Sequence, residues 1–345
     1  MHRLDEALSR RGFTTRWLRV RAAAVLVAIT AGVSGTLLYN LTNVLGPDTV
    51  CGGSVSADAV HAALGSGRVS EDSYQENLAT VYNRGDWCDV TVSSGVFGGS
   101  HRSASLSVRL DNDHAIAVAD ANDRLFAGAA NGGSTGGANS SSAWALLPEG
   151  CSKGLRVEVS TAHKGPNDDG APGLARLAVN AANGAAAKNH CGQGTLPAPK
   201  NLSAAGVWQP ADATALCGLS GLTVPKGEAA LRGYEQQVTT VFDPVWSCKI
   251  GGGKDRGSVL SFAIATDSRA SGRSPDNARG TAYGRARWTG YDEVVADCQG
   301  KPVYFQIDLQ NLPLVERFFF PDRADLWKQF LTAGGKAIGC EPIIP

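Results

Sequence analysis

The chain has 345 residues, 32 Lys and Arg against 32 Asp and Glu, and only 19% charged residues. Six Arg against Asp5 and Glu6 give the first 21 residues +4, which leaves −4 on the rest and excludes a nucleic-acid binder, whose surface needs clustered Lys and Arg. The length predicts two domains rather than one, and 42 Gly predict a folded but loop-rich body.

Residues 1–21 are a basic tail carrying Arg3, Arg10, Arg11, Arg16, Arg19 and Arg21. Residues 22–45 (AAAVLVAITAGVSGTLLYNLTNVL) follow without a charge. About 20 apolar residues cross a hydrocarbon core of about 30 Å, so this stretch is long enough to be a transmembrane anchor. Arginines before it, and Pro47 and Asp48 after it, predict a cytoplasmic N-terminus by the positive-inside bias. A cleaved signal peptide is the alternative; against it, Leu37, Leu38 and Tyr39 carry the apolar run past the small residues Gly32 to Gly35. Cys51 follows Asp48-Thr49-Val50, which is not a lipidation site.

In residues 46–191, read as a first extracytoplasmic module, Ala57 to Leu64 is helical. A strand holds Asp86-Trp87-Cys88-Asp89-Val90, and Ser105 to Leu110 alternates with the period of two of a half-buried strand. Ala127 to Ser142 (AGAANGGSTGGANSSS) has little to bury and is expected to be a mobile loop. Cys151 then precedes a strand at Gly154 to Ser160, and a helix from Gly173 to His190 closes at Cys191. Residues 192–214 are rich in Pro, Gly and Ala and read as a linker, with Trp208 packed onto one module.

Residues 215–345, the second module, repeat the order. Cys217 is followed by Trp246-Ser247-Cys248, a strand at Val259 to Ala265, a polar segment from Ser268 to Trp288, and Cys298 with a strand at Pro302 to Leu309. A helix from Asp322 to Ile338, with Leu326, Phe330, Ala333 and Ala337 at helical spacing on one face, leads to Cys340. Cysteine separations are 37, 63 and 40 in the first copy and 31, 50 and 42 in the second. The expected fold is therefore α+β: an N-terminal transmembrane helix, then two tandem homologous disulfide-stapled α-β-β-β-α modules.

All eight cysteines lie beyond the apolar stretch, an even number that reads as disulfides in an oxidising compartment. No two stand at C-x-x-C spacing, so no zinc site is expected. A strand of eight residues advances about 26 Å, and a helix of 17 returns about 26 Å. The helix end thus comes back beside the strand start, which favours Cys298 with Cys340 and, by analogy, Cys151 with Cys191. The remainder gives Cys51 with Cys88 and Cys217 with Cys248, an inference, since four cysteines allow three pairings.

No motif carries convincing chemistry. Gly132-Gly133-Ser134-Thr135-Gly136 matches G-x-S-x-G, but that elbow needs a strand and a helix on either side. His61, His101, His114, His163 and His190 show no ligand spacing, and the acidic clusters at Asp111 to Asp113, Asp120 to Asp123 and Asn167 to Gly170 lack the EF-hand pattern and read as turns. Gly251 to Lys254 lacks the Walker pattern and reads as a hairpin loop. No catalytic residue, metal or cofactor is expected. Trp87 and Trp246 are expected to pack on disulfides. Phe318, Phe319 and Phe320 join strand to helix in the second module where the first has a polar segment; burial in that module's core or against the first module is the favoured reading, and an exposed candidate interaction patch for a partner or the membrane surface is the alternative.

With 22 Arg to 10 Lys, one Met, a short Arg-rich tail, one anchor, Trp-Cys strands and Cys-terminated helices, the chain resembles the uncharacterised single-pass, disulfide-rich extracytoplasmic membrane proteins of high-GC actinobacteria. The resemblance is one of architecture and carries no site residues. The expected function is a membrane-anchored binding or interaction protein of the cell envelope, with an envelope protein or a small ligand as partner and the cleft between modules as the default site. An envelope hydrolase with a spatially assembled site and a structural spacer for another membrane protein are the alternatives.

Overall fold

A computed structural model describes residues 16–44, 46–75, 87–94, 100–110, 123–127, 133–151, 154–162, 170–192, 194–239, 242, 244–252, 258–271, 275–290, 292–309, 320, 322–340 and 342–344. Helix α1 (Arg16–Leu41) comes first. Its window Val20–Leu37 has a mean hydropathy of 1.7 and none of it is buried in the protein, so it is long and apolar enough to cross a membrane. A membrane anchor and a signal sequence both pass that test.

The rest is α+β. Strands β1 (Thr49–Val50) and β2 (Val55–Ser56) form a small hairpin before helix α2 (Ala57–Leu64). Ser56 caps that helix, its Oγ accepting from Ala59 N at 3.2 Å. The first large sheet contains β3 (Arg68–Gln75), β4 (Trp87–Ser94), β5 (Ser100–Leu110), β6 (Arg124–Ala127), β7 (Thr135–Ala138), β8 (Ser142–Leu146) and β9 (Leu155–Thr161). Their order is β3-β4-β5-β9-β8-β7-β6, antiparallel throughout. Helix α3 (Ala171–Lys188), opened by Pro172 in its first turn, closes this half.

The second sheet contains β10 (Gln209–Pro210), β11 (Glu235–Val238), β12 (Val245–Gly251), β13 (Ser258–Ala265), β14 (Arg287–Trp288), β15 (Glu293–Cys298) and β16 (Lys301–Asp308). Its order is β10-β11-β12-β13-β16-β15-β14, again antiparallel. Helix α4 (Arg323–Ala337) follows, Asp322 capping it with Oδ1 2.7 Å from Ala324 N. Each sheet thus contains an antiparallel run of six strands in which three consecutive strands are followed by three placed in reverse order. Seven strands per sheet, rather than three, are present among the described residues, and a 3-10 turn at Leu216–Gly218 stands where the second module was expected to begin with a helix.

Each sheet buries one face under its helix. Val90, Val92, Leu106, Val157 and Val159 meet the small side chains of α3. Trp246, Phe262, Ile264 and Phe305 meet Leu326, Trp327, Phe330 and Leu331 of α4. The α4 face is wider than its spacing suggests: Trp327 and Leu331 join it, while Ala337 is exposed. A third cluster joins the two sheets: Leu125, Trp144 and Leu146 of the first share it with Val245, Ala263, Ala265, Val295 and Tyr304 of the second. These residues lie on the sheet faces away from the helices, so the layers run helix, sheet, sheet, helix.

The glycine-rich segment expected to be a mobile loop is, over residues 133–142, strand β7 and its turn into β8, with Ser134, Thr135 and Ala138 buried. Its glycines have no apolar surface of their own to bury but let others approach. A Cβ on Gly136 would collide with Trp144 O and the Phe126 ring, and one on Gly137 with the Trp144 indole.

Candidate functional site

The eight cysteines form four disulfides: Cys51–Cys88, Cys151–Cys191, Cys217–Cys248 and Cys298–Cys340, with Cα separations of 5.5, 4.8, 5.8 and 5.2 Å. Trp246 is buried in the same core as Cys217 and Cys248 and stacks on Phe242 at 5.3 Å. The Trp87 side chain lies outside the described residues. So do Phe318 and Phe319, whereas Phe320 is 1% exposed within the second core and offers no surface. His114, His163 and the clusters at Asp111 to Asp113 and Asn167 to Asp169 also lie outside the described residues.

Gly132, Asp120 to Asn122, Gly253 and Lys254 lie outside the described residues as well, and other motif residues have structural partners. Ser134, of the G-x-S-x-G match, is 2% exposed at the start of β7. His61 Nε2 stands 3.0 Å from Gly67 O, and His101 Nδ1 3.0 Å from Ser93 Oγ. Buried Asp123 accepts from Trp144 Nε1 at 2.9 Å and from Asn139 Nδ2 at 2.8 Å, so its carboxylate organises a β-turn. No group of three His, Cys, Asp or Glu able to hold a metal occurs among the described residues.

The region between the two halves, expected as a cleft, holds the third apolar cluster and a polar hub. Arg269, on a 3-10 turn at Ser268–Ala270, pairs with Asp267 at 2.7 Å, each side chain 13% exposed. From there Arg269 Nη2 donates to Gly133 O at 3.0 Å and to Thr135 Oγ1 at 3.1 Å, its Nη1 reaches Leu147 O at 3.4 Å, and its backbone carbonyl accepts from Gly154 N at 3.1 Å. Thr135 Oγ1 donates to Asp267 Oδ2 at 2.9 Å. Burial acts to raise the Asp267 carboxyl, but the guanidinium and amide of Arg269 and the Thr135 hydroxyl outweigh it and hold it below the usual carboxylate range. On the same face of the second sheet, fully buried Glu293 accepts from Ser271 and Thr289. Burial, with the Glu293 and Asp276 carboxylates nearby, pushes the Tyr304 hydroxyl up to about 12.

A pocket of ≈ 230 Å³ opens elsewhere, beside the segment read as a linker. Its walls are Arg124 at the start of β6, Pro172, Ala175 and Arg176 in the first turns of α3, and Pro199, Lys200, Asn201 and Leu202. The last segment is pinned at both ends. Asn183 exchanges two hydrogen bonds with the backbone of Leu196, at 2.8 and 3.0 Å. Ser203 N donates to Leu125 O at 2.8 Å, Leu125 N donates to Ser203 Oγ at 2.8 Å, and Arg124 Nε donates to Ser203 O at 3.1 Å. The linker is thus tied to edge strand β6, and farther along Gly206 O accepts from Gln237 Nε2 at 2.9 Å. Nothing in the sequence joins Arg124, Arg176 and Lys200, which fall in three separate segments. No family model matches the chain, and neither a curated protein nor a solved structure matches it.

Proposed function

We propose that the chain is a membrane-anchored extracytoplasmic binding protein of the cell envelope, oriented by its N-terminal arginines with the tail in the cytoplasm. On this reading the body outside is two homologous units from one duplication, and an envelope protein or a small ligand is its partner. The shared strand order, the recurrent cysteine order and the helix closing each half support the duplication.

The observation that carries the reading is the join between α1 and the body. Asn43 Oδ1 accepts from Val69 N, in edge strand β3, at 3.0 Å, while Asn43 Nδ2 donates to Pro47 O at 2.8 Å. An exposed apolar helix is thereby fixed to a disulfide-stapled body within a few residues of its end. Disulfides persist in oxidising compartments, which favours the outer side of a membrane for that body. A spacer for another membrane protein is the second reading, favoured by the hydrogen-bonded Arg269 junction.

Crosslinking in intact cells through a tagged C-terminus, with mass-spectrometric identification, tests both. The binding reading expects one reproducible envelope neighbour whose crosslinks depend on its ligand or signal. A stoichiometric neighbour indifferent to ligand favours the spacer. Recovery of the abundant, folded chain in the soluble fraction, without α1, would sink the anchored form of either.

A further inference from the structure

The pocket beside the linker is built from cations. Arg124, Arg176 and Lys200 come from a strand, a helix and an extended segment, and among the described residues no carboxylate is in its wall. Like charges gathered in this way repel, and the chain beyond residue 21 is net negative, so its charge balance does not favour such a cluster. Among the described residues neither Arg176 nor Lys200 has an ion-pair partner. The pocket is also preformed: hydrogen bonds at Leu196 and Ser203 fix the segment bearing Lys200, and the Arg124 Nε bond to Ser203 O orients that guanidinium.

We propose that this pocket binds a small phosphate dianion, as the free ion or as a phosphomonoester, through Arg124, Arg176 and Lys200. Arg176 supplies a planar fork that suits phosphate oxygens, Arg124 a second guanidinium held in place through its Nε, and Lys200 a compact charge. Three cations match a dianion better than a single carboxylate. The open side of the pocket leaves room for the ester substituent of a larger molecule. The inference names a ligand class for the binding reading above and rests on it only for biological meaning; crosslinking of the wild-type chain is read independently, so the two fail separately.

The test is calorimetric titration of the full chain in phosphate-free maltoside micelles with inorganic phosphate, at low ionic strength and about pH 8, where a phosphomonoester with a second pKa near 6 is a dianion. Saturable one-to-one binding is expected, weakened about tenfold by Arg176→Gln or Lys200→Gln and abolished by both together. Acetate is expected to bind more weakly than phosphate. Glycerol 3-phosphate binding tighter than inorganic phosphate points to an esterified ligand, and equal binding to the free ion. Both substituted side chains are exposed, so an unchanged thermal transition certifies the variants. No saturable heat, or binding that survives the double substitution, overturns the proposal.

Discussion

The two halves solve the same packing problem with different materials. Under the first sheet, α3 buries Ala171, Ala175, Ala178, Ala181, Ala182, Ala185 and Ala186 beside only a few leucines. Backbones come close: a Cβ on Gly184 would run into the Ser54 carbonyl, and one on Gly173 into Ala62 and Ala63. Under the second sheet the space is filled by large rings. Phe330 stands 4.9 Å from Phe262 and 5.7 Å from Phe305 between centroids, and Trp327 5.4 Å from Trp288. The first half should therefore be intolerant of added atoms and the second of lost ones.

The largest break is expected from Phe330→Ala, which empties a fully buried ring position and should cost about 3–5 kcal/mol by denaturant titration. A cost below about 1 kcal/mol would mean the aromatic core is loosely filled. Next is Arg269→Met at the junction of the halves. It leaves the Asp267 carboxylate, largely buried, without its cation, and should cost about 3 kcal/mol. In calorimetry the single transition expected of the intact chain should separate into two, one per half. The same pair gives an acid signature. The Asp267 carboxyl is depressed in the folded state, so its contribution is full above the unfolded value near 4 and is lost as pH falls through the folded one.

The comparison is sharpest between two helical glycines. Gly184→Ala meets the backbone of Ser54, which cannot turn aside, and should cost about 1–3 kcal/mol. Gly334→Ala, in α4, meets the far end of the Ile264 side chain, and the helix gains about 1 kcal/mol from replacing Gly. Its net effect should stay within about 1 kcal/mol of zero, and equal losses at both sites would refute the contrast. The smallest effect is alkaline. With Tyr304 raised to about 12, the unfolded chain ionises first, near 10, so stability should fall as pH rises from about 10 toward 12. Tyr304→Phe should remove that component of the slope.

Much of this was legible from local pattern. The Ala57–Leu64 helix, the strands at Ser105 to Leu110 and Gly154 to Ser160 and the helices α3 and α4 follow from local pattern. A strand and a helix of matching length bring Cys151 within 4.8 Å of Cys191 between Cα atoms. What stayed hidden depends on partners far away in sequence. Ser268 to Trp288 reads only as a polar segment, yet Arg269 is largely buried because Gly133 and Thr135, over 130 residues earlier, receive it. The Gly-Ala run reads as disordered because its residues bury little themselves; Phe126 and Trp144 supply what it covers. The linker pocket unites three segments that share no motif.

Asn43 sets one more condition on any partner. A domain on a flexible stalk explores a hemisphere and meets its target by trial at an effective concentration set by the length of its leash. Here Asn43, two residues beyond the end of the apolar helix, also holds edge strand β3 of the body, so that leash has almost no slack. With α1 in a bilayer, the body moves with its helix and its search becomes two-dimensional. Its encounters are sideways, at one fixed height above the lipid. Lengthening the segment at Gly46 would trade that fixed height for reach.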